Sequence, residues 1–337
     1  MGNQVKELTI LITGVGGGVG QSIIKSLQDS QFRLIGVDGE TLGTGLYTVD
    51  KAYRVPYAHD PRYVERLLEI CKIEKCSLIF PGLDAELIPL ATHVSQFTEI
   101  GVTPVVSPAD VIRTGDNKYA TALFLQENGF PAPRTQLVTD NRLDNLGFPF
   151  VLKPLEGGAR SQGVYIVKGE HELRYRLSTI DSDNYVAQEY IQGDEYTCGS
   201  INFAGSCQGV IVMRRILRDG DTYKAFVQND PLLENFVSEV AETLKPFGPC
   251  NFQLRVRDGT PYIFEINPRC SGTTFSRTLA GFNEPLMTAE YLLMGKKPIF
   301  KIKEATIFRY WKEILIENDR IGELDERGKL DGDGSKL

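Results

Sequence analysis

Histidine and paired cysteine are both scarce in this chain of 337 residues. It has only three histidines, widely separated, and its six cysteines include no CxxC pair. The spacing of neither residue type matches a zinc site. The scattered histidines also leave no evident Ser-His-Asp or Cys-His arrangement for nucleophilic catalysis. We therefore predict reduced thiols, as in a cytoplasmic protein.

Long apolar runs and an excess of positive charge are missing as well. No run of about 18 apolar residues is present to span a bilayer, and we expect no signal peptide from residues 1–7. The formal net charge of −7 argues against nucleic acid and anionic membranes as partners. With 42% hydrophobic and 24% charged residues, the composition is that of a globular protein of two or three domains.

Two neighbouring stretches near the C-terminal third alternate between polar and apolar residues. Residues 251–256 and 261–267 are predicted to form the strands of an antiparallel hairpin. Opposed residues of such a pair share a face, so Gln253 and Glu265 lie together only if the loop has an odd number of residues. We therefore expect a three-residue loop with Gly259 in the left-handed conformation. The apolar residues expected on the opposite face are Phe252, Leu254, Val256, Tyr262, Phe264 and Ile266.

The polar face of this hairpin collects oxygen donors, namely the carboxylate of Glu265 and the amides of Gln253 and Asn267. Oxygen-only ligands suit Mg²⁺, which commonly binds one or two carboxylates together with phosphate oxygens and water. The loop of residues 268–274 follows directly. It adds Arg269 with hydroxyl and backbone donors, which suit an anion held against the metal. The alternative is an ordinary amphipathic hairpin with a solvated polar face.

Gln253 followed by the run Glu265-Ile266-Asn267-Pro268-Arg269 resembles the metal-binding segment of the ATP-grasp superfamily. It is most similar to the synthetase repeats of the carbamoyl-phosphate synthase large chain. The resemblance implies that Gln253, Glu265 and Asn267 hold two divalent ions, Mg²⁺ or Mn²⁺, against the phosphates of ATP. It also implies that Arg269 and Lys153 are catalytic, with Arg269 contacting the acyl phosphate or the transferred phosphoryl group.

Three further segments extend the resemblance in the order found in the superfamily. Lys118 opens a helix, where the helix dipole disfavours a cation unless an anion is near. Lys153 ends a strand that runs into a glycine-rich loop, which resembles the mobile lid over the nucleotide. A turn around Gly193 resembles the adenine- and ribose-binding hinge. The residues that the resemblance assigns to ATP are Lys118, Lys153, Gly157, Gly158, Arg160, Ser161, Gly163, Glu189, Tyr190, Ile191, Glu195, Gln253 and Glu265.

The N-terminal segment offers a rival interpretation. A strand, the glycine-rich turn of residues 14–20, a helix and a second strand ending at Asp38 form a βαβ unit like that of dinucleotide-binding enzymes. A short-chain dehydrogenase also needs a Tyr-x-x-x-Lys pair, and the match at Tyr47 and Lys51 comes too early in the chain. ATP-grasp proteins resemble this pattern too, because they open with a Rossmann-like domain. We therefore disfavour a nicotinamide cofactor.

The sequence leaves the roles of four charged residues undecided. Asp84 and Glu86 are candidates for a substrate site, but acids at the start of a helix are also ordinary caps. Arg214 and Arg215 end a strand, and either residue is equally suited to bind an anion or to face solvent.

Taken together, the resemblance implies an α/β and α+β protein with the ATP-grasp fold. The expected units are a Rossmann-like domain (1–113), a lid subdomain (114–187), a metal-binding subdomain (188–319) and a disordered tail (320–337). The expected activity is that of an ATP- and Mg²⁺-dependent ligase. It activates a small carboxylate as an acyl phosphate, which an amine or another nucleophile captures, and it releases ADP and phosphate. The alternatives are release of the acyl phosphate, as in carbamoyl-phosphate synthases, a non-catalytic ATP sensor, and an NAD(P) oxidoreductase. A homodimer is left open.

Overall fold

The computed structural model describes residues 8–139, 143–158 and 161–337. The strands of the N-terminal domain are β1 (Thr9–Ile12), β2 (Arg33–Asp38), β3 (Lys51–Arg54), β4 (Cys76–Phe80), β5 (Thr103–Pro104) and, from the C-terminus, β16 (Lys329–Asp331). Its helices are α1 (Gly18–Leu27), α2 (Tyr63–Glu74), α3 (Leu87–Thr92) and α4 (Val94–Glu99). Strands β1 to β5 pair in parallel, in the sheet order β16-β3-β2-β1-β4-β5. This order reverses between β1 and β4, so the predicted Rossmann-like arrangement is confirmed.

Both faces of this sheet are covered, as a parallel sheet requires. Ile10 and Ile12 pack into the apolar cluster on one face, and Leu11 packs into the cluster on the other. All three side chains are fully buried. The continuous apolar run in the sequence thus reflects burial on two sides.

The C-terminal segment is folded, so the prediction of a disordered tail was wrong. Residues Asn318–Arg327 form helix α11, and β16 pairs with β3 with Leu330 opposite Ala52. The side chains of Leu324 and Leu330 are buried in the core of the N-terminal domain. The high charge and glycine content of this segment suggested disorder. These two side chains, the partly buried Ile321 and Leu337, and the pairing with β3 dock the segment, because the rest of the domain supplies the complementary surface.

The lid is a small antiparallel sheet in the order β6-β9-β7-β8. Its elements are β6 (Thr135–Leu137), β7 (Phe150–Pro154), β8 (Tyr165–Val167), α7 (Glu170–Leu177) and β9 (Tyr185–Glu189). Two helices, α5 (Ala109–Asp116) and α6 (Lys118–Glu127), connect the N-terminal domain to it. Asn117 caps α6, since its side-chain oxygen accepts from the backbone N–H of Tyr119 (3.1 Å) and Ala120 (2.9 Å).

The central sheet has six antiparallel strands in the order β14-β13-β10-β11-β12-β15. They are β10 (Asp194–Phe203), β11 (Ser206–Arg218), β12 (Asp221–Gln228), β13 (Gly248–Arg257), β14 (Thr260–Asn267) and β15 (Ala305–Phe308). Helix α8 (Pro231–Leu244) covers one face, and α10 (Glu284–Met294) contributes Met287 and Tyr291 to the cluster on the other. The short helix α9 (Thr274–Leu279) precedes α10. No helix in the described part of the chain is long and apolar enough to cross a membrane.

The β13–β14 hairpin has the predicted pairing of Gln253 with Glu265 but not the predicted loop. Arg257 lies opposite Thr260, so the loop has only two residues. These are Asp258 (φ 51°) and Gly259 (φ 76°), both left-handed, as in a type I′ turn. The expected three-residue loop was therefore wrong. A two-residue turn of this type matches the twist of the strands, and the register is corrected further along.

A β-bulge at Phe264 shifts the register of the two strands. Leu254 pairs with Ile263, while the adjacent Gln253 pairs with Glu265. From the bulge to the turn, the faces of β14 are exchanged relative to the prediction. Ile263 occupies the core and is 1% exposed, whereas Phe264 lines the cleft beside Gln253. The assignment of Tyr262 and Phe264 to the buried face was wrong for this reason.

We expect Leu324→Ala to lower the free energy of unfolding by about 2–5 kcal/mol, because it leaves a cavity in the N-terminal core. Urea denaturation measures the change. Glu326→Ala on the exposed side of the same helix is the control and should stay within about 0.5 kcal/mol of the wild type. Equal stability of the two variants would show that α11 is not docked in solution.

Candidate active site

A cleft between the lid and the central sheet holds a cavity of about 390 Å³. Its apolar and aromatic lining residues are Val151, Val164, Ile166, Tyr190, Ile191, Leu217 and Phe264. Its charged and amide lining residues include Lys153, Glu195, Arg215, Gln253, Arg255 and Glu265. A cavity of this size with an apolar wall and convergent polar groups is typical of a small-molecule site.

Most of the residues singled out from the sequence surround this cleft. Those lining the main cavity are Lys153, Gly158, Ser161, Glu189, Tyr190, Ile191, Glu195, Gln253 and Glu265. A neighbouring cavity of about 60 Å³ is lined by Lys118, Gly157, Glu265, Asn267 and Arg269, together with Asp84 and Asp116. Glu265 borders both cavities. Gly163 packs below the lid loop, where a Cβ atom would lie 2.6 Å from the Tyr185 hydroxyl. Arg160 lies outside the described residues.

Two buried lysines bring positive charge to the site, Lys153 in the lining of the main cavity and Lys118 in that of the smaller one. The Lys153 ammonium donates to the Phe264 carbonyl (3.0 Å), and the Lys118 ammonium donates to the Gly157 carbonyl (2.6 Å). Burial lowers the pKa of Lys153 to about 7, with Glu265 opposing this shift and Lys118 adding to it. Because these hydrogen bonds go to neutral carbonyls, both lysines are suited to an incoming anion.

The side chains of Gln253, Glu265 and Asn267, whose oxygens are the candidate metal ligands, are joined by hydrogen bonds. One oxygen of Glu265 accepts from the amides of Asn267 (3.0 Å) and Gln253 (3.4 Å). The Gln253 oxygen accepts from Arg215 (2.6 Å), and the Asn267 oxygen accepts from Arg269 (3.1 Å). The donor set fits a hard divalent cation, since every potential ligand is an oxygen. With a single carboxylate it differs from acid-rich centres, and no cluster of three His, Cys, Asp or Glu side chains suited to a metal exists among the described residues.

Arg215, which the sequence left undecided, belongs to the site. It donates twice to Glu195 (2.9 and 2.6 Å) as well as to Gln253. Arg214 points away from the cleft and stacks over Phe226 at 4.4 Å. Strand alternation shows that only one of the two arginines can face the cleft. Choosing between them requires the register of β11 against β10, which the sequence did not supply.

The hinge carboxylates are held by arginines. Glu189 accepts from Arg257 (2.8 Å) and Arg134 (3.2 Å), and these hydrogen bonds lower its pKa against the opposing effect of burial. Glu195 accepts from Arg255 (2.6 Å) in addition to Arg215. The Glu189 ion pairs connect the lid to the central sheet. The Glu189 carboxylate therefore stabilises the hinge.

Of the two acids after β4, only Asp84 reaches the site. It forms a two-pronged ion pair with Arg269, at 2.6 and 2.7 Å. Burial raises the pKa of Asp84, but the guanidinium outweighs it and holds the pKa below its usual range. Glu86 is buried and accepts from Thr13, Tyr63 and two backbone N–H groups. Its task is to fix the loop after β4.

The glycine-rich turn after β1 borders a separate cavity of about 460 Å³. Asp38, the expected ribose ligand of a dehydrogenase, instead accepts from the backbone N–H of Gly16 (2.7 Å) and Glu40 (3.0 Å). Tyr47 is buried in a short 3₁₀ helix and donates to the Thr41 carbonyl, whereas Lys51 lies in β3. These two residues do not form a catalytic pair on one helix. The geometry thus gives no support to the dehydrogenase alternative.

Family models match two parts of the chain. Residues 10–105 match the model described as "PylC-like, N-terminal domain". Residues 181–313 match the model described as "ATP-grasp in the biosynthetic pathway with Ter operon". The second match includes β9 to β15 and therefore the β13–β14 hairpin.

Curated proteins and solved structures are also similar to this chain. A D-alanine–D-alanine ligase of Clostridium beijerinckii is 32% identical over 220 residues, covering 55% of this chain and 70% of that protein. The carbamoyl phosphate synthase large chain of Buchnera aphidicola is 25% identical over 325 residues, which is 84% of this chain and 29% of that one. The N5-carboxyaminoimidazole synthetase of Staphylococcus aureus, solved with ADP, superposes with a TM-score of 0.73 at 17% identity, covering 98% of this chain and 91% of that one.

We expect Lys153 to take up a proton when ATP binds. At about pH 8 the free protein holds Lys153 mostly uncharged, because its pKa is about 7. Nearby phosphate charge favours the ammonium and raises that pKa, so ATP affinity should fall as the pH rises from about 7 to 9. Titration calorimetry in two buffers of different ionisation enthalpy counts the protons.

The matched control is Lys153→Met, which should bind ATP more weakly and lose the buffer dependence. An unchanged buffer dependence in this variant would assign the proton to another group. Wild-type affinity would remove Lys153 from the nucleotide site.

Proposed function

The chain belongs to the ATP-grasp superfamily, and from this premise we propose that it is an ADP-forming ligase. It uses ATP to activate a small carboxylate, which an amine or another nucleophile then captures. The observation that carries the proposal is that Lys153, Gln253 and Glu265 line a cavity that also has an apolar wall, while Lys118 and Asn267 line a neighbouring cavity that shares Glu265.

The cavity suggests how ATP lies. In the proposed orientation the adenine lies against the apolar lining residues of the lid and Phe264, next to Glu189, Tyr190 and Ile191. The ribose then comes near Glu195, and the phosphates extend toward Lys153 and Lys118. The left-handed glycines Gly157 and Gly158 let the loop backbone approach the phosphates closely, without a side chain in the way.

Gln253, Glu265 and Asn267 would hold divalent ions, Mg²⁺ or Mn²⁺, in this arrangement, and we propose two of them. Such ions neutralise phosphate charge and hold the phosphates in a fixed orientation. For the amide oxygens to serve as ligands, they must share or give up their hydrogen bonds from Arg215 and Arg269.

The proposed reaction has two steps. An oxygen of the substrate carboxylate attacks the γ-phosphorus of ATP, the bond to the bridging oxygen breaks, and ADP leaves with that oxygen. The amine nitrogen then attacks the acyl carbon, loses a proton and expels phosphate. Lys118 and Lys153 reduce the repulsion between the triphosphate and the carboxylate. In this proposal Arg269 contacts the transferred group, which must compete with Asp84 for the guanidinium.

The experiment that tests the function is a screen of small carboxylates and amines for stimulated release of ADP. We expect a productive pair to release one ADP and one phosphate for each bond formed. ADP without free phosphate, together with an unstable acyl phosphate, would favour the carbamoyl-phosphate-like alternative. Tight ATP binding without turnover for any pair would favour a nucleotide sensor.

We expect Glu265→Gln to reduce the rate of ADP formation by at least about 100-fold with little change in the melting temperature. The variant removes the single carboxylate among the proposed metal ligands, and the amides of Gln253 and Asn267 cannot replace its charge. Glu239→Gln on the exposed side of α8 is the matched control and should retain full activity. A wild-type rate for Glu265→Gln would overturn the metal assignment.

A further inference from the structure

The ion pair of Asp84 and Arg269 joins two domains at the smaller cavity. Asp84 follows β4 of the N-terminal domain, and Arg269 follows β14 of the central sheet. Their side chains meet through two hydrogen bonds of 2.6 and 2.7 Å, and both line the cavity of about 60 Å³. A cavity of this volume holds only a few water molecules, so a carboxylic acid needs more room beside Arg269.

Arg269 has almost no hydrogen-bond donor left for a ligand. A guanidinium has five N–H groups. In Arg269, two of them donate to Asp84, one to the Cys270 carbonyl (2.9 Å) and one to the side-chain oxygen of Asn267 (3.1 Å). An incoming anion must therefore displace one of these partners before the guanidinium can bind it with more than one hydrogen bond.

Asp84 is the partner that an anion displaces most easily. Asn267 and Cys270 lie within two residues of Arg269, so the chain itself holds them close to the guanidinium. Asp84 is 185 residues away in the sequence, and its side chain is 43% exposed, against 11% for Arg269. Water can therefore solvate the released carboxylate. The buried guanidinium, in contrast, needs another anion in its place, because an unpaired buried charge is costly.

We propose that Asp84 is a gate that withholds Arg269 from the phosphoryl group until a substrate carboxylate displaces Asp84 from the guanidinium. This inference rests on the proposed ligase function, and it names the residue that couples consumption of ATP to binding of the carboxylate. Unlike Asp84, the substrate carboxylate is the attacking group. The guanidinium that holds it therefore lies beside the γ-phosphoryl group during the transfer and stabilises the charge that develops there.

The same contact suppresses hydrolysis of ATP when the carboxylate substrate is missing. In that side reaction a water oxygen attacks the γ-phosphorus, ADP leaves with the bridging oxygen, and a proton of the water passes to solvent. Water carries no charge and does not displace Asp84 from Arg269. The reaction with water thus proceeds without the guanidinium, whereas the reaction with the substrate carboxylate uses it.

Asp84→Asn tests the gate, because the amide keeps the shape of the carboxylate but loses its charge. With Mg²⁺-ATP and no other substrate, we expect this variant to hydrolyse ATP at least about tenfold faster than the wild type. Damage to the site would slow the reaction, so an increase in rate separates the gate from a merely structural contact. Asp84→Glu restores the charge and should hydrolyse ATP more slowly than Asp84→Asn. Glu99→Gln, at an exposed acid on α4, is the control and should match the wild type.

Binding of inorganic phosphate tests the same contact without turnover. Phosphate stands in for the transferred group, and calorimetry without nucleotide measures its affinity. We expect Asp84→Asn to bind phosphate at least about tenfold more tightly than the wild type, because the guanidinium is no longer occupied. Adding Arg269→Gln to this variant should remove the gain, since the two residues act through one contact.

Two results would overturn the gate. The first is an Asp84→Asn variant that hydrolyses ATP without substrate no faster than the wild type. The second is a gain in phosphate affinity that survives Arg269→Gln, because Asp84 would then act through another cation. Failure of the ligase function has a different signature, since the wild type itself would show no ADP release stimulated by any carboxylate and amine.

Discussion

The β-bulge at Phe264 is the constraint on which the cleft depends. The tight turn at Asp258 and Gly259 alone would put Gln253 and Glu265 on opposite faces of the sheet. The extra residue in β14 restores the shared face close to the site. It also turns Phe264 toward the cavity and makes its carbonyl the acceptor for Lys153. One backbone irregularity therefore positions the carboxylate, an aromatic wall and the contact between lid and hairpin.

Charged and amide side chains in the cleft form a continuous network of hydrogen bonds. From Glu195 it passes through Arg215, Gln253, Glu265, Asn267 and Arg269 to Asp84. This series of hydrogen bonds connects the hinge to the N-terminal domain along the cleft. The two lysines face it but hydrogen-bond to neutral carbonyls. The acids are thus matched mainly with arginines, and the lysines are left to compensate a negatively charged ligand.

A second buried network supports the loop that carries Arg269. The fully buried ion pair of Arg277 and Glu284 is extended by hydrogen bonds to Asn251 and Thr274. A Cβ atom at Gly199 would lie about 2.5 Å from both charged groups, so β10 must have glycine there. A buried pair with this many hydrogen bonds fixes a single arrangement more than it adds stability. It ties the β13–β14 hairpin to α9 and α10.

The sequence by itself determined the type of fold and the chemical character of the site. The βαβ start, the lysine before the glycine-rich loop and the Gln253–Glu265–Asn267 pattern are local signals, and each depends on residues close together in the chain. The tertiary structure alone decided the two-residue turn with its bulge and the choice of Arg215 over Arg214. It also decided the partnership of Asp84 with Arg269 and the docking of α11. The physical reason is the same in each case. These features depend on register and on surfaces supplied by distant strands, and neither is encoded in the periodicity of one segment.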